Sequence, residues 1–254
     1  MAEMKVALQV YTIREHLQDL AGFADAMKKV REIGYESVEL AGAGRDVSLE
    51  DQKRVCDENG LAVIAMHTGY GAFCDDLDAV IANHKLLGAE YAILPGLPGE
   101  LRNAEGYAKV AAQMTEWSEI LDRASLGLAY HNHDMEFEKF DGRLAMDILF
   151  EDAGPKVGSE LDLYWVQHGG ASPVTWITKL AGRVPLLHLK DYAIIDRQPT
   201  FAEVGEGNLE WNAIFAAARE AGTKWLAVEE DTCTRPSMES VAISFRNLHG
   251  MGLC

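Results

Sequence analysis

The segment Tyr130-His131-Asn132-His133-Asp134-Met135-Glu136-Phe137-Glu138 holds two imidazoles and three carboxylates in nine residues, directly after the apolar run Leu126-Gly127-Leu128-Ala129. Side chains alternate along a strand, so His131 and His133 share one side. Such a cluster at the mouth of a buried strand is costly without a partner, and a divalent cation is the simplest one.

A cation needs ligands from elsewhere in the chain. The segments Glu160-Leu161-Asp162-Leu163-Tyr164-Trp165, His188-Leu189-Lys190-Asp191 and Val228-Glu229-Glu230-Asp231 each end an apolar run in polar residues. Glu136, Asp162, His188 and Glu229 then supply one ligand-type residue from each of four successive strand ends. A single carboxylate at a strand end is ordinarily solvated or caps the next helix. Three gathered at the strand ends repel one another, and a cation cancels that repulsion. Three carboxylates and one imidazole make a hard set suited first to Mn²⁺, then to Mg²⁺ or Co²⁺, with Zn²⁺ also accommodated.

The elements that must position these residues repeat eight times, a short β run followed by a longer helical run. The β runs are expected at Lys5–Tyr11, Glu36–Leu40, Ala62–His67, Tyr91–Leu94, Gly127–His131, Lys156–Leu163, Val184–Leu189 and Trp225–Glu230. Most lack polar alternation, as strands covered on both faces do. Helices are expected at Leu20–Ile33, Leu49–Asn59, Asp76–Leu87, Ala104–Ala124, Gly142–Asp152, Pro173–Leu180, Leu209–Ala221 and Pro236–Asn247. Ser48 is a good N-cap, and Gly34, Gly60, Gly88 and Gly222 follow helix ends. Strand–helix alternation implies right-handed βαβ units and a parallel sheet. Eight repeats in 254 residues predict one α/β domain, residues 1–254, folded as a (β/α)8 TIM barrel. No G-x-G-x-x-G follows the first strand, which argues against a dinucleotide fold.

Composition sets limits on partners. Hydrophobic residues make up 48%, enough for a large core. The net charge of −17 disfavours nucleic acid and anionic membrane surfaces. With no leader pattern at Met1 and no long apolar run, a cytoplasmic protein is the expectation. Cys56, Cys74, Cys233 and Cys254 show neither C-x-x-C spacing nor disulfide density and read as inert thiols. His16, His84, His168 and His249 fall in helices or loops and receive no role.

Taken together, the segments at 130–137, 160–165, 188–191, Glu203-Val204-Gly205-Glu206-Gly207 and 228–231 resemble the xylose isomerase-like TIM-barrel family, the sugar phosphate isomerase/epimerase family. Leu8-Gln9-Val10-Tyr11-Thr12-Ile13-Arg14 also looks like that family's first strand and loop, and the resemblance spans essentially the whole chain. It implies a metal held by Glu, Asp, His and Glu from strands five to eight, which Asp162, His188 and Glu229 match. In ketose epimerases the first Glu lies inside strand five, where this chain has Ala129-Tyr130-His131, so Glu136 is chosen and Glu138 is its rival. The implied activity is proton abstraction beside a carbonyl of a sugar or keto-sugar through an enediolate. Glu229, His133 and Lys190 are the expected catalytic residues, and Tyr11, His67, His131 and Trp165 the expected substrate contacts. A salt bridge from Lys190 to Glu229 or Asp162 is the alternative reading of the lysine. Elimination from a keto-sugar or inosose is the rival reaction. The partner is a small sugar, with a homo-oligomer compatible. DNA repair of the endonuclease IV type and a non-catalytic sugar-binding role fit less well, the former because of the negative charge.

Overall fold

The computed structural model describes residues 4–253. Eight parallel strands close into one barrel in chain order: β1 Lys5–Gln9, β2 Ser37–Leu40, β3 Ala62–His67, β4 Tyr91–Leu94, β5 Gly127–His131, β6 Val157–Asp162, β7 Leu186–Leu189 and β8 Trp225–Val228. The register closes through Leu8 opposite Val228 on one side of β1 and Val38 on the other. The helices between them are α1 Leu20–Ile33, α2 Leu49–Glu58, α3 Leu77–Leu87, α4 Ala104–Arg123, α5 Ala145–Asp152, α6 Pro173–Lys179, α7 Trp211–Ala221 and α8 Ser237–Gly250. The expected (β/α)8 architecture is therefore the observed one.

Local chemistry starts and stops these helices. Asp19, Ser48, Asp76 and Asn103 each accept a hydrogen bond from a backbone N–H in the first turn. Gly88 and Gly222 end α3 and α7 in the left-handed region, at φ 73° and 81°, where a side chain would be strained. Strand β3 carries an irregularity: Val38 pairs with Val63 and Glu39 with Ala65, so Ile64 is an extra residue. Such a bulge resets which face the rest of the strand presents. It brings His67 inward, with its Nε2 2.7 Å from Glu39 Oε1.

Several expected boundaries shift, three of them for a visible reason. The first strand stops at Gln9 because Val10–His16 forms 3₁₀ turns whose start is capped by the Gln9 side chain. The fifth helix begins at Ala145, since Lys139–Phe140 and Arg143–Leu144 pair as a hairpin turned at Asp141 and Gly142. The seventh begins at Trp211, because the Leu209 N–H and the Trp211 indole are drawn to Asp191. Two short helices, Tyr70–Asp75 and Leu163–His168, and a hairpin of Asp191–Ile195 with Gln198–Ala202 were not expected. All three decorate the C-terminal mouth of the barrel.

Two apolar regions hold the barrel. The larger lies between strands and helices, with Phe23, Met27, Tyr35, Tyr107 and Ile214 fully buried or nearly so. The smaller fills the barrel's N-terminal half: Ala7, Ile64, Ala65, Ile93, Ala129, Leu186 and Trp225. No helix among the described residues is long and apolar enough to cross a membrane. Cys56 is buried in α2, and burial pushes its thiol up to about 12, so it is protonated at neutral pH. Cys254 lies outside the described residues.

Candidate metal and active site

Above the apolar plug the inward faces of the same strands turn polar. Period two carries each strand from its plug residue into the site: Ala129 to His131, Leu186 to His188, and Gly158 to Glu160 and Asp162. Glu39, His131, Glu160, Asp162, His188, Lys190 and Glu229 are all buried, none more than 3% exposed.

Ligand-type atoms of His131, Asp162, His188 and Glu229 lie within 4.8 Å of one another, and so do those of His67, His131, Glu160 and His188. The first group takes one residue from each of β5 to β8 or its end. His188 Nδ1 lies 2.8 Å from Glu229 Oε2 and 3.9 Å from Asp162 Oδ2, while its Nε2 lies 3.1 Å from both Glu39 and Glu160. Its Nδ1 thus faces the potential ligands and its Nε2 faces two carboxylates, the arrangement that orients a metal-binding imidazole. Asp162 Oδ2 is buried without a hydrogen-bond partner; His131 Nδ1, also without one, lies 3.2 Å from Glu160 Oε2, and the other ring nitrogen, Nε2, lies 3.9 Å from Asp162 Oδ2. Asp162 Oδ2 is 2.9 Å from Lys190 Nζ, an ion pair without hydrogen-bond geometry. Buried atoms left in this state fit a cation held by His131, Asp162, His188 and Glu229. Two imidazoles with two carboxylates form a softer set than the three carboxylates expected, favouring Mn²⁺, Co²⁺ or Zn²⁺ over Mg²⁺.

The structure does not bring Glu136 to this cluster. It sits on the 3₁₀ turn Met135–Phe137, where its carboxylate accepts from the Tyr130 hydroxyl at 2.6 Å and the His133 N–H at 2.7 Å. Burial raises its pKa, and the Tyr130 hydrogen bond opposes that rise. Glu138, the rival, is exposed. His131 stands at the position both were meant to fill.

Lys190 is fully buried, with Nζ 2.9, 2.7 and 2.8 Å from Asp162, Glu229 and Asp231. Burial alone would lower its pKa, but these carboxylates outweigh burial and hold it well above the usual value. Both salt bridges in the alternative reading of Lys190 are therefore present. Burial also works against an ionised Glu229, yet Lys190 and His188 keep its carboxyl well below the ordinary range. Asp162 goes the other way: burial raises it to about 6 despite Lys190. His188 is raised well above its usual value, since Glu160, Glu39 and Glu229 outweigh its burial. His131 is lowered well below, by burial and by the charge on His188. His133 falls to about 4 through burial and Lys190, so it is neutral at pH 7.

A cavity of about 330 Å³ opens over the cluster, lined by Tyr11, His67, His131, His133, Glu229 and Asp231 among others. Tyr11 stands at the rim, stacked against the Arg14 guanidinium 4.2 Å from its ring centre. Trp165 lies on the helix Leu163–His168, its ring 5.6 Å from that of His133 and backed by Phe201 of the hairpin. Its Nε1 is buried without a partner. Tyr11, His67, His131 and His133 are thus gathered at one mouth with Trp165 beside them.

Glu39, Glu160 and Asp231 escaped assignment from the sequence. The signal was available for two of them: Glu160 is two residues before Asp162, and Asp231 two after Glu229, so each shares its neighbour's face. Asp191 also has a structural role. Its carboxylate accepts from the backbone N–H groups of Tyr192, Gly205, Gly207 and Leu209 and from the Trp211 indole. Gly207 has to be glycine, because a Cβ there would lie 2.4 Å from Asp191 Oδ1.

The model of the xylose isomerase-like TIM barrel matches residues 27–246. No curated protein sequence matches the chain. Among solved structures, a sugar phosphate isomerase/epimerase from Parabacteroides distasonis ATCC 8503 superposes with a TM-score of 0.81 at 26% identity, covering 98% of this chain and 94% of that one. The probable 3-DHS dehydratase AsbF of Bacillus anthracis gives 0.74 at 13% identity, covering 97% and 99%. The IOLI protein, solved with a zinc atom, gives 0.73 at 16% identity, covering 97% of each chain. At those two identities the likeness is one of fold.

Proposed function

We propose that this chain, which belongs to the xylose isomerase-like TIM-barrel family, is a divalent-metal-dependent sugar isomerase or epimerase that removes a proton beside a carbonyl of a sugar or keto-sugar. The observation that carries this reading is the convergence of His131, Asp162, His188 and Glu229 under an open cavity that His133 also lines. A divalent ion held by these four residues would polarise the carbonyl and so acidify the neighbouring C–H. Mn²⁺ is the first candidate.

The chain's own groups account for the proton steps. His133 is neutral at pH 7 and lines the cavity, so it can accept a proton. Lys190 disfavours the imidazolium that results, which speeds the proton's return. Glu229 stays ionised and lies at the same mouth, as a ligand and as a second carrier near the reacting carbon. Lys190 holds Asp162, Glu229 and Asp231 in one array and is a positioning residue in this reading. Tyr11 and Trp165 provide walls for the sugar ring, and His67 and His131 border its floor. Return of the proton to the opposite face gives epimerisation, and return to the neighbouring carbon gives isomerisation.

Elimination is a second reading. His133 Nδ1 has no hydrogen-bond partner, so after the imidazole has taken the C–H proton it can give a proton to a leaving hydroxyl, which departs as water. The test is proton exchange in D₂O, followed by NMR, with Mn²⁺ and a panel of ketoses, keto-sugars and inososes. Metal-dependent loss of one C–H signal is expected. A new alkene signal would move the assignment to the lyase reading, and no exchange with any compound would end both.

A further inference from the structure

The cavity over the ligand cluster has a neighbour. A second cavity, of about 430 Å³, shares Pro95 and His133 with it and is lined further by Tyr70, Gly96, Arg102 and Met135. Gly96 lines the second cavity at φ 108°, in the region that favours glycine.

The two cavities differ in charge. The first is lined by Glu229 and Asp231, and Lys190 beneath it is committed to three carboxylates. A second anionic group, remote from the reacting carbonyl, would face Glu229 and Asp231 there. Arg102 is the one charged side chain among the described residues lining the second. Its Nε–H donates to the Leu97 carbonyl at 2.9 Å, which fixes the guanidinium plane. No described hydrogen bond or ion pair engages its two Nη atoms, and Glu136 feels its charge only through space. In a chain with 40 acidic and 23 basic residues, Arg102 is an exposed arginine held by the backbone at the lining of this cavity. His133 Nδ1, in the same lining, is buried and also lacks a hydrogen-bond partner.

Resting on the enolisation reading above, we propose that the substrate carries an oxyanion group remote from its reacting carbonyl, and that Arg102 receives that group in the second cavity. A phosphate or a carboxylate would accept the guanidinium's two parallel N–H groups. The reacting carbons would meanwhile lie over the metal cluster, so Arg102 selects and aligns the substrate.

The test compares exchange in D₂O for ketose phosphates, keto-uronic acids and their neutral parents, using metal-loaded wild type, Arg102→Gln and Arg102→Lys. Wild type is expected to prefer one anionic class over its parent by about 10- to 100-fold in kcat/KM. Arg102→Gln should remove that preference through KM and leave the neutral parents within about twofold. Arg102→Lys should restore part of it, and which anionic class is preferred names the group. Equal turnover of anionic and neutral sugars by wild type, or equal slowing of both by Arg102→Gln, overturns the proposal in favour of a counter-charge for Glu136. If nothing exchanges, the enolisation reading has failed separately. Phosphorus NMR titration with inorganic phosphate then decides: broadening by wild type that Arg102→Gln abolishes supports the subsite, and equal broadening overturns it.

Discussion

The two halves of the barrel interior are built from the same strands and are almost equally buried, yet they obey different chemistry. The N-terminal half is filled by Ala7, Ile93, Ala129, Leu186 and Trp225, and the C-terminal half by Gln9, Glu39, His131, Glu160, His188 and Lys190. One step of strand period separates Leu186 from His188 and Ala129 from His131. The lower half gains free energy from burial, while the upper half must offset the desolvation of its charges with partners. A cavity alone does not mark the functional half: a larger one, about 810 Å³, lies at the N-terminal end beside Trp225, Lys5 and Phe245. What sets the upper end apart is convergent, perturbed titratable groups.

The sharpest way to break this contrast is to remove a ligand. His188→Ala, Glu229→Gln and His131→Ala should each lose stoichiometric metal and slow exchange by about 10³-fold or more, while keeping the barrel's circular dichroism. Metal retained by His131→Ala would return the first-ligand position to another residue. Next in size, Trp225→Ala should cost about 3–5 kcal/mol in urea unfolding. Its metal content, measured below the transition, should match wild type. If it falls, the two halves are not independent.

A titration of the metal-free protein probes the upper half alone. Burial would lower His67, but Glu39 and Glu160 outweigh it and raise it from 6.5 to about 9. Below pH 6.5 both folded and unfolded His67 are protonated and the ion pairs contribute fully. As pH rises towards 9 the unfolded imidazole loses its proton first, and the contribution, on the order of 3 kcal/mol, disappears. The stability difference between wild type and His67→Gln should therefore shrink between pH 6 and 9.5. A difference independent of pH would mean His67 is not charged in the fold. Smallest of all, Glu136→Gln should cost about 1–2 kcal/mol through weakened hydrogen bonds to Tyr130 and His133, with metal bound as before. Loss of the metal would restore Glu136 as a ligand.

The scaffold was legible because its signals are local. Apolar runs mark β3, β4 and β5 to the residue, and Ser48, Gly88 and Gly222 mark helix ends through backbone chemistry that neighbours need not supply. The helix Leu163–His168 and the hairpin Asp191–Ala202 were not legible, since packing among Tyr164, Tyr192 and Phe201 holds them. In the site, Asp162, His188 and Glu229 follow from strand position. Glu136 misled because its type and nearness in sequence suited a ligand, while the turn at Met135–Phe137 folds it back on Tyr130. Glu39 and His67 meet on neighbouring strands beyond the point where Ile64 shifts the register of β3, and no residue type announces that shift.

The five N–H groups gathered by Asp191 have a consequence for how this scaffold can change. They pin both ends of the segment from Asp191 to Leu209 to one carboxylate, while its tip at Asp196 and Arg197 turns through φ 48° and 63° with Ile194 and Ile195 half exposed. Closure of the segment is thus settled at its base, by Asp191 and by the packing of Tyr192 and Phe201 on Tyr164, while its outer end stands half exposed. The tip is an exchangeable module: it can be lengthened, shortened or grafted to re-shape the approach to the cavity without re-registering a single barrel strand.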